Sequence, residues 1–165
     1  MRAETDAGSG ALAISARGIS RRFGQFLAVD DVDVAVARGE VFGLLGANGA
    51  GKTTTIRMLC GTLAPDGGSI AVGGVDMVHH ARRARARIGY VAQRWALYGD
   101  LTVRENLELQ AGLYGLGGQR ARARCQWALD FLGLRALAGA NGDGLPLGFQ
   151  RRLALGCALL HEPDV

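Results

Sequence analysis

The sequence predicts an α/β fold: a sheet-and-helix core with an antiparallel β flank and an inserted helical subdomain. Three observations carry this. The glycine-rich run Gly46-Ala47-Asn48-Gly49-Ala50-Gly51-Lys52-Thr53-Thr54 lies between an apolar run of buried-strand type and a stretch of helical character. Alternating apolar residues from Leu12 through Val32, Val34 and Val36 precede it as strands. Beyond Gln93 the pattern changes to helical spacing.

At 165 residues the chain has the length of one domain with a real core, and its 48% hydrophobic and 21% charged residues agree. Residues 1–11 are small and polar and are expected to be a disordered tail. Residues 12–93 are expected to form the α/β core with its β flank. Within them, strands turn at Arg38-Gly39-Glu40 and lead to Val41-Phe42-Gly43-Leu44-Leu45, read as a buried strand. A helix is predicted over 53–60, a turn at Pro65-Asp66-Gly67-Gly68, and a strand over 69–72. An arginine-rich helix then precedes Ile88-Gly89-Tyr90-Val91-Ala92, read as a second core strand.

Residues 94–150 are expected to be the helical subdomain. Thr102-Val103-Arg104-Glu105 has the form of a capping box, so a helix runs from Val103 toward Tyr114. Gly115, Gly117 and Gly118 break it, and a second helix spans 120–132 with Gly133 placed to end it. A further helix follows from 151, returning toward the core by 165.

The glycine-rich run has a physical reading of its own. Gly46, Gly49 and Gly51 allow backbone N–H groups to converge on an anion, and the helix that follows adds the favourable end of its dipole. Lys52 is the chain's one lysine; every other strongly basic side chain is arginine. A compact ammonium at that one position suits the β and γ phosphates of a nucleotide, and the Thr53 hydroxyl suits Mg²⁺. Asn48, Ala50 and Thr54 complete the cradle.

Other features narrow the field. The formal charge of +4 is spread along the chain except for Arg82-Arg83-Ala84-Arg85-Ala86-Arg87, which lacks interleaved aromatics and reads as a solvated helix face. No nucleic-acid partner is expected. Cys60, Cys125 and Cys157 have no metal-type or disulfide-type spacing and read as small buried hydrophobes. His79 and His80 are adjacent and read as surface residues. The longest apolar stretch, 153–160, is too short to cross a bilayer.

Taken in order, these motifs resemble the ATP-binding subunit of ATP-binding-cassette (ABC) transporters, in particular exporters of the ABC-2, drug-efflux type. The likeness runs from Leu12 onward and implies a P-loop NTPase core of RecA-like type that binds ATP and Mg²⁺. Arg22-Phe23-Gly24 resembles the aromatic loop on which adenine stacks, a contact worth about 1–3 kcal/mol; Phe26 is a nearby competitor for that role. Val91-Ala92-Gln93 resembles the family's Q-loop, which makes Gln93 a catalytic residue that approaches Mg²⁺ and the attacking water. The segment from Arg94 to Asn106 would then face a transmembrane subunit, with Trp95, Leu97 and Tyr98 as candidate contacts.

Leu145-Pro146-Leu147-Gly148-Phe149 stands where the family has its signature motif, and it lacks the signature serine. Loss of one hydrogen bond to a charged group costs about 1.5–3 kcal/mol, leaving Gly148 and the following helix to supply backbone donors to a second subunit's ATP. By the same resemblance, the strand carrying the Mg²⁺-holding aspartate and the water-polarising glutamate would follow Val165, as would the switch histidine. The chain is therefore expected to be truncated before that strand and catalytically incomplete. The implied function is ATP binding, and hydrolysis in the intact protein, by a head-to-tail dimer of nucleotide-binding domains. It would drive an ABC-2-type transmembrane subunit from the cytoplasmic face of the membrane. The alternatives are a nucleotide-binding remnant that never hydrolyses ATP, and a cassette protein with no role in transport.

Overall fold

The computed structural model describes residues 12–92 and 97–165. The expected tail at 1–11, Gln93 and Trp95 lie outside the described residues. The described chain divides into two compact units: residues up to Ile88 together with Asp164 and Val165, and Gly89–Pro163.

In the first unit, β1 (Leu12–Phe23) and β2 (Phe26–Ala37) form a long hairpin, followed by α1 (Lys52–Leu59), β3 (Gly67–Val72), β4 (Val75–Asp76) and the short α2 (Ala81–Arg85). The sheet is antiparallel throughout, in the order β2-β1-β3-β4. Alternation sends Val34 and Val36 of β2 into one core, and on β1 the irregularity between Ala16 and Ile19, with Gly18 at φ 59°, brings both of these into it although they are three residues apart; Met58 and Leu59 of α1 join Ile70 and Val72 of β3 there. A bulge in β2 interrupts the register between Val29 and Val32, and Asp31 takes φ 45° there with its N–H donating to the Ser20 hydroxyl. The link from β3 to β4 is Gly73-Gly74, both at positive φ, as a two-residue hairpin turn requires.

Two expected strands do not form. The run 41–45 makes no ladder among the described residues, with Val41 97% and Leu45 85% exposed. The run 88–92 likewise makes no ladder among the described residues; Ile88 is buried, while Tyr90 and Val91 are about half exposed. An apolar run is only half of what a buried strand needs. The other half is a neighbouring strand on its edge, and no described strand pairs with either run.

α2 is less freely solvated than its sequence suggests. Arg85 donates to the Gly61 carbonyl at 3.0 Å, and Arg87 pairs with Asp164 at 2.6 Å. His79 is exposed as expected and pairs with Asp76 at 3.1 Å.

The second unit packs α3 (Val103–Leu113), α4 (Gly118–Phe131) and α5 (Leu147–Leu159) around Leu107, Leu129, Leu134 and Leu153. The capping box at Thr102 and Glu105 is present in both directions. Gly133 follows α4 at φ 64°, as a left-handed helix stop requires. Gly156 lets α5 come close: a Cβ there would lie 2.8 Å from Leu132 Cδ1. Arg124 of α4 donates to the carbonyls of Leu159 and Leu160, both at 2.9 Å, closing the C-terminal end of α5. The three cysteines are free; Cys125 and Cys157 are buried, and burial pushes the Cys157 thiol up to about 12.

Candidate functional site

α1 begins where the glycine-rich run ends. Gly51 is its N-cap and adopts φ 81°, a left-handed conformation closed to most residues. Space adds a second demand, since a Cβ on Gly51 would stand 2.4 Å from the Ala28 carbonyl oxygen of β2. The absence of a side chain at position 51 therefore lets the loop lie against the hairpin. Gly49, at φ 84°, supplies the other left-handed turn.

The polar groups of this loop face an opening. No side-chain hydrogen bond caps α1, and its first turn holds no acidic residue. The first N–H groups of any helix have no intrahelical acceptor, so here they stay available to an anion. Lys52 extends back over the loop, its Nζ donating to the carbonyls of Gly46 at 2.6 Å and Ala47 at 2.7 Å.

A cavity of about 340 Å³ opens at this point. The hairpin contributes Phe23, Phe26 and Ala28; the loop and α1 contribute Asn48, Gly49, Gly51, Lys52, Thr53 and Thr54. Of the expected site residues, the structure thus brings Phe23 together with most of the phosphate loop. Gly46 enters through its carbonyl bond to Lys52, and Ala50 through the turn in which its N–H donates to Ala47. Gly148 lies in the other compact unit, exposed, as the second residue of α5. Gln93 is outside the described residues.

Phe23 is not a core residue. It pairs with Phe26 across the Gly24-Gln25 turn, and the rings are 47% and 64% exposed. Both rings stand at the cavity, whereas the sequence singled out one. The guanidinium of Arg21 lies over the Phe23 ring, 5.2 Å from its centroid. Nothing in the spacing of Arg21 signalled this, because its anchor, Asp66, is far away in sequence.

Chemically, the arrangement suits a polyanion with a planar aromatic end. A lysine ammonium with no carboxylate partner, helix-start amides with no side-chain cap and the Thr53 hydroxyl suit the anionic part, and the hydroxyl is of the hard-oxygen type that Mg²⁺ accepts. Aromatic faces stand at the same cavity.

Comparison with known proteins matches residues 29–165 to the family described as ABC transporter. The chain is 47% identical over 156 residues to the probable multidrug ABC transporter ATP-binding protein YbhF of Escherichia coli (strain K12), covering 94% of this chain and 27% of that protein. It is 42% identical over 152 residues to the Nod factor export ATP-binding protein I of Ralstonia nicotianae, covering 92% of this chain and 47% of that protein. The chain therefore spans between about a quarter and a half of these relatives. Among solved structures, an ATP-binding subunit of an ABC transporter superposes with a TM-score of 0.81 at 29% identity, over 92% of this chain and 63% of that one. The cbiO1 subunit from Clostridium perfringens, part of the transporter complex cbiONQ, gives the same TM-score at 25% identity, over 92% and 62%. The expected fold class, an α/β phosphate-loop core with an antiparallel flank and a helical subdomain, holds on these likenesses.

Proposed function

The chain belongs to the ABC transporter family, and from that premise we propose that it binds MgATP at the loop 46–54 as the energy-coupling part of an exporter. The observation that carries this reading is the start of α1: an uncapped helix N-terminus, held open by Gly51, with Lys52 over it and an aromatic-lined cavity beside it. The Lys52 ammonium exchanges two carbonyl partners for the charged oxygens of the β and γ phosphates. Such charge-assisted bonds are roughly twice as strong as neutral ones. The loop amides and the start of α1 hold the same oxygens through backbone N–H groups. Thr53 and, by the resemblance to the Q-loop, Gln93 would hold Mg²⁺, which would supply charge neutralisation to the triphosphate. Phe23 stacks on the base.

Export is supported by what the relatives are called, and the Leu-Pro-Leu-Gly sequence at 145–148 supports the ABC-2, drug-efflux type in particular. In this reading two nucleotide-binding domains close head to tail, the loop of one facing Gly148 of the other. Residues 94–106 meet a transmembrane subunit at the cytoplasmic face of the membrane. No helix among the described residues is long and apolar enough to cross a bilayer.

Calorimetric titration of the 165-residue protein with MgATP, beside Lys52→Ala, tests the reading. Loss of the ammonium should weaken binding about 10- to 100-fold, corresponding to about 1.5–3 kcal/mol. Equal affinity in the two proteins would overturn the assignment of the loop.

A further inference from the structure

The end of β1 is pinned to the turn that precedes β3. Arg21 and Phe23 are two residues apart on one strand, so both side chains leave the same face. The Arg21 guanidinium lies over the Phe23 ring, 5.2 Å from its centroid. It is not free to leave, because its Nη1 donates to Asp66 Oδ1 at 2.6 Å and to the Ala64 carbonyl at 3.1 Å. The other carboxylate oxygen, Asp66 Oδ2, accepts the Arg22 N–H at 2.7 Å, and the Asp66 N–H donates to the Ser20 carbonyl at 2.9 Å. One aspartate thus fixes both the backbone just before Phe23 and the cation above its ring.

A cation–π pair at an exposed site adds only about 0.5–1 kcal/mol to the fold, so packing alone is a weak reason for this one. Here the ring is 47% exposed and lines the cavity that holds the phosphate loop. One face is occupied by a guanidinium that Asp66 holds in place; the ring cannot swing without losing that contact. We propose that Arg21 and Asp66 are positioning residues for nucleobase binding, which hold Phe23 in the orientation that stacks on the base of a nucleoside triphosphate. The gain is preorganisation: the rotamer freedom of the ring is lost on folding and not on binding. This rests on the reading of the loop as a triphosphate site and adds to it how the base is recognised.

The test uses two probes that share their phosphates and differ in the base: MgATP and magnesium tripolyphosphate, each titrated into the 165-residue protein. Asp66→Asn, nearly isosteric, and Arg21→Gln should each weaken ATP binding about 3- to 10-fold and leave tripolyphosphate affinity unchanged. Phe23→Ala should produce the same selective loss, and adding Asp66→Asn to it should produce no more. The two clamp variants change net charge in opposite directions, so a long-range electrostatic effect would move them apart and would appear with both probes. Arg21→Lys, which keeps a cation for the ring, should recover part of the ATP affinity.

Equal losses for both probes, or unchanged ATP affinity in Asp66→Asn, would overturn the proposal while leaving the phosphate site standing. Wild-type protein that binds neither probe, or binds both as well with Lys52→Ala, would overturn the phosphate site and this inference with it. Should Arg21→Gln fail to fold, Asp66→Asn with the Phe23→Ala cycle decides alone.

Discussion

The starts of α1 and α3 are both helix N-termini reached through a short glycine-containing turn, and they treat their polar groups in opposite ways. At α1 the cap is a glycine with no side chain to offer, no acid stands in the first turn, and the Lys52 ammonium leans on the loop's own carbonyls. At α3 the cap is Thr102, whose hydroxyl accepts from the Glu105 N–H while the Glu105 carboxylate accepts from the Thr102 N–H. Asn106, 2% exposed, completes the closure. Its amide donates to the carbonyls of Tyr98, Leu101 and Thr102 at 2.8, 3.1 and 3.0 Å, and its oxygen accepts the Tyr98 N–H at 3.0 Å. A helix start whose donors are answered internally is scaffold; one left unanswered has its binding capacity still to use.

The sharpest way to break this contrast is at Gly51. Alanine there faces both a φ of 81° and a carbonyl oxygen 2.4 Å from its Cβ. A strained backbone position alone costs about 1–3 kcal/mol, and the close approach to Ala28 adds to it. Gly51→Ala should therefore lose more MgATP affinity than Lys52→Ala and should also lower the urea midpoint. Lys52→Ala, by comparison, should leave the unfolding free energy within about 0.5 kcal/mol of wild type. An alanine variant that binds as tightly as wild type would mean that the loop's approach to the hairpin is not needed for binding.

Asn106 supplies the reverse dissociation. Asn106→Ala removes four hydrogen bonds at once and takes the acceptor from the Tyr98 N–H, while the Tyr98, Leu101 and Thr102 carbonyls keep the N–H groups of Leu101, Gly142 and Asn106 as donors; each lost bond is worth about 0.5–1.5 kcal/mol. Its expected cost is about 3 kcal/mol in stability with MgATP affinity unchanged. A fall in affinity with no fall in stability would place Asn106 with the site and not with the scaffold.

The two helix starts also differ in how far the sequence revealed them. The glycine-rich loop was legible because its demands are local: left-handed backbone at 49 and 51 and a cation at 52 are written within a few residues. The Thr102–Glu105 box was legible for the same reason. Asn106 was visible as a residue but not as a clamp, since its partners are backbone carbonyls whose positions depend on how the turn folds. The Arg21–Asp66 pair spans 45 residues and no periodicity encodes it. The runs 41–45 and 88–92 failed differently: their apolar character was read correctly, but a ladder is a property of two strands, and the second strand cannot be read from the first.

The smallest expected effect concerns the charge in the α3 cap. Thr102→Ala should cost about 1 kcal/mol, the usual worth of an N-cap, at neutral pH. Glu105 is held below its ordinary value of 4.5, first by the Thr102 N–H and then by the Thr102 hydroxyl, both donating to its carboxylate. A carboxyl depressed in the folded state stabilises that state above its unfolded value, and the contribution fades as pH falls through the lower, folded one. Glu105→Gln keeps an acceptor oxygen and removes the charge. The stability gap between wild type and Glu105→Gln, followed by thermal melts, should therefore be constant near neutrality and should close on acidification below pH 4.5. A gap that persists unchanged in acid would mean that the carboxylate's charge adds nothing and that the amide's shape alone accounts for the difference. At α1, where no carboxylate sits in the first turn, acidification has no such cap to titrate.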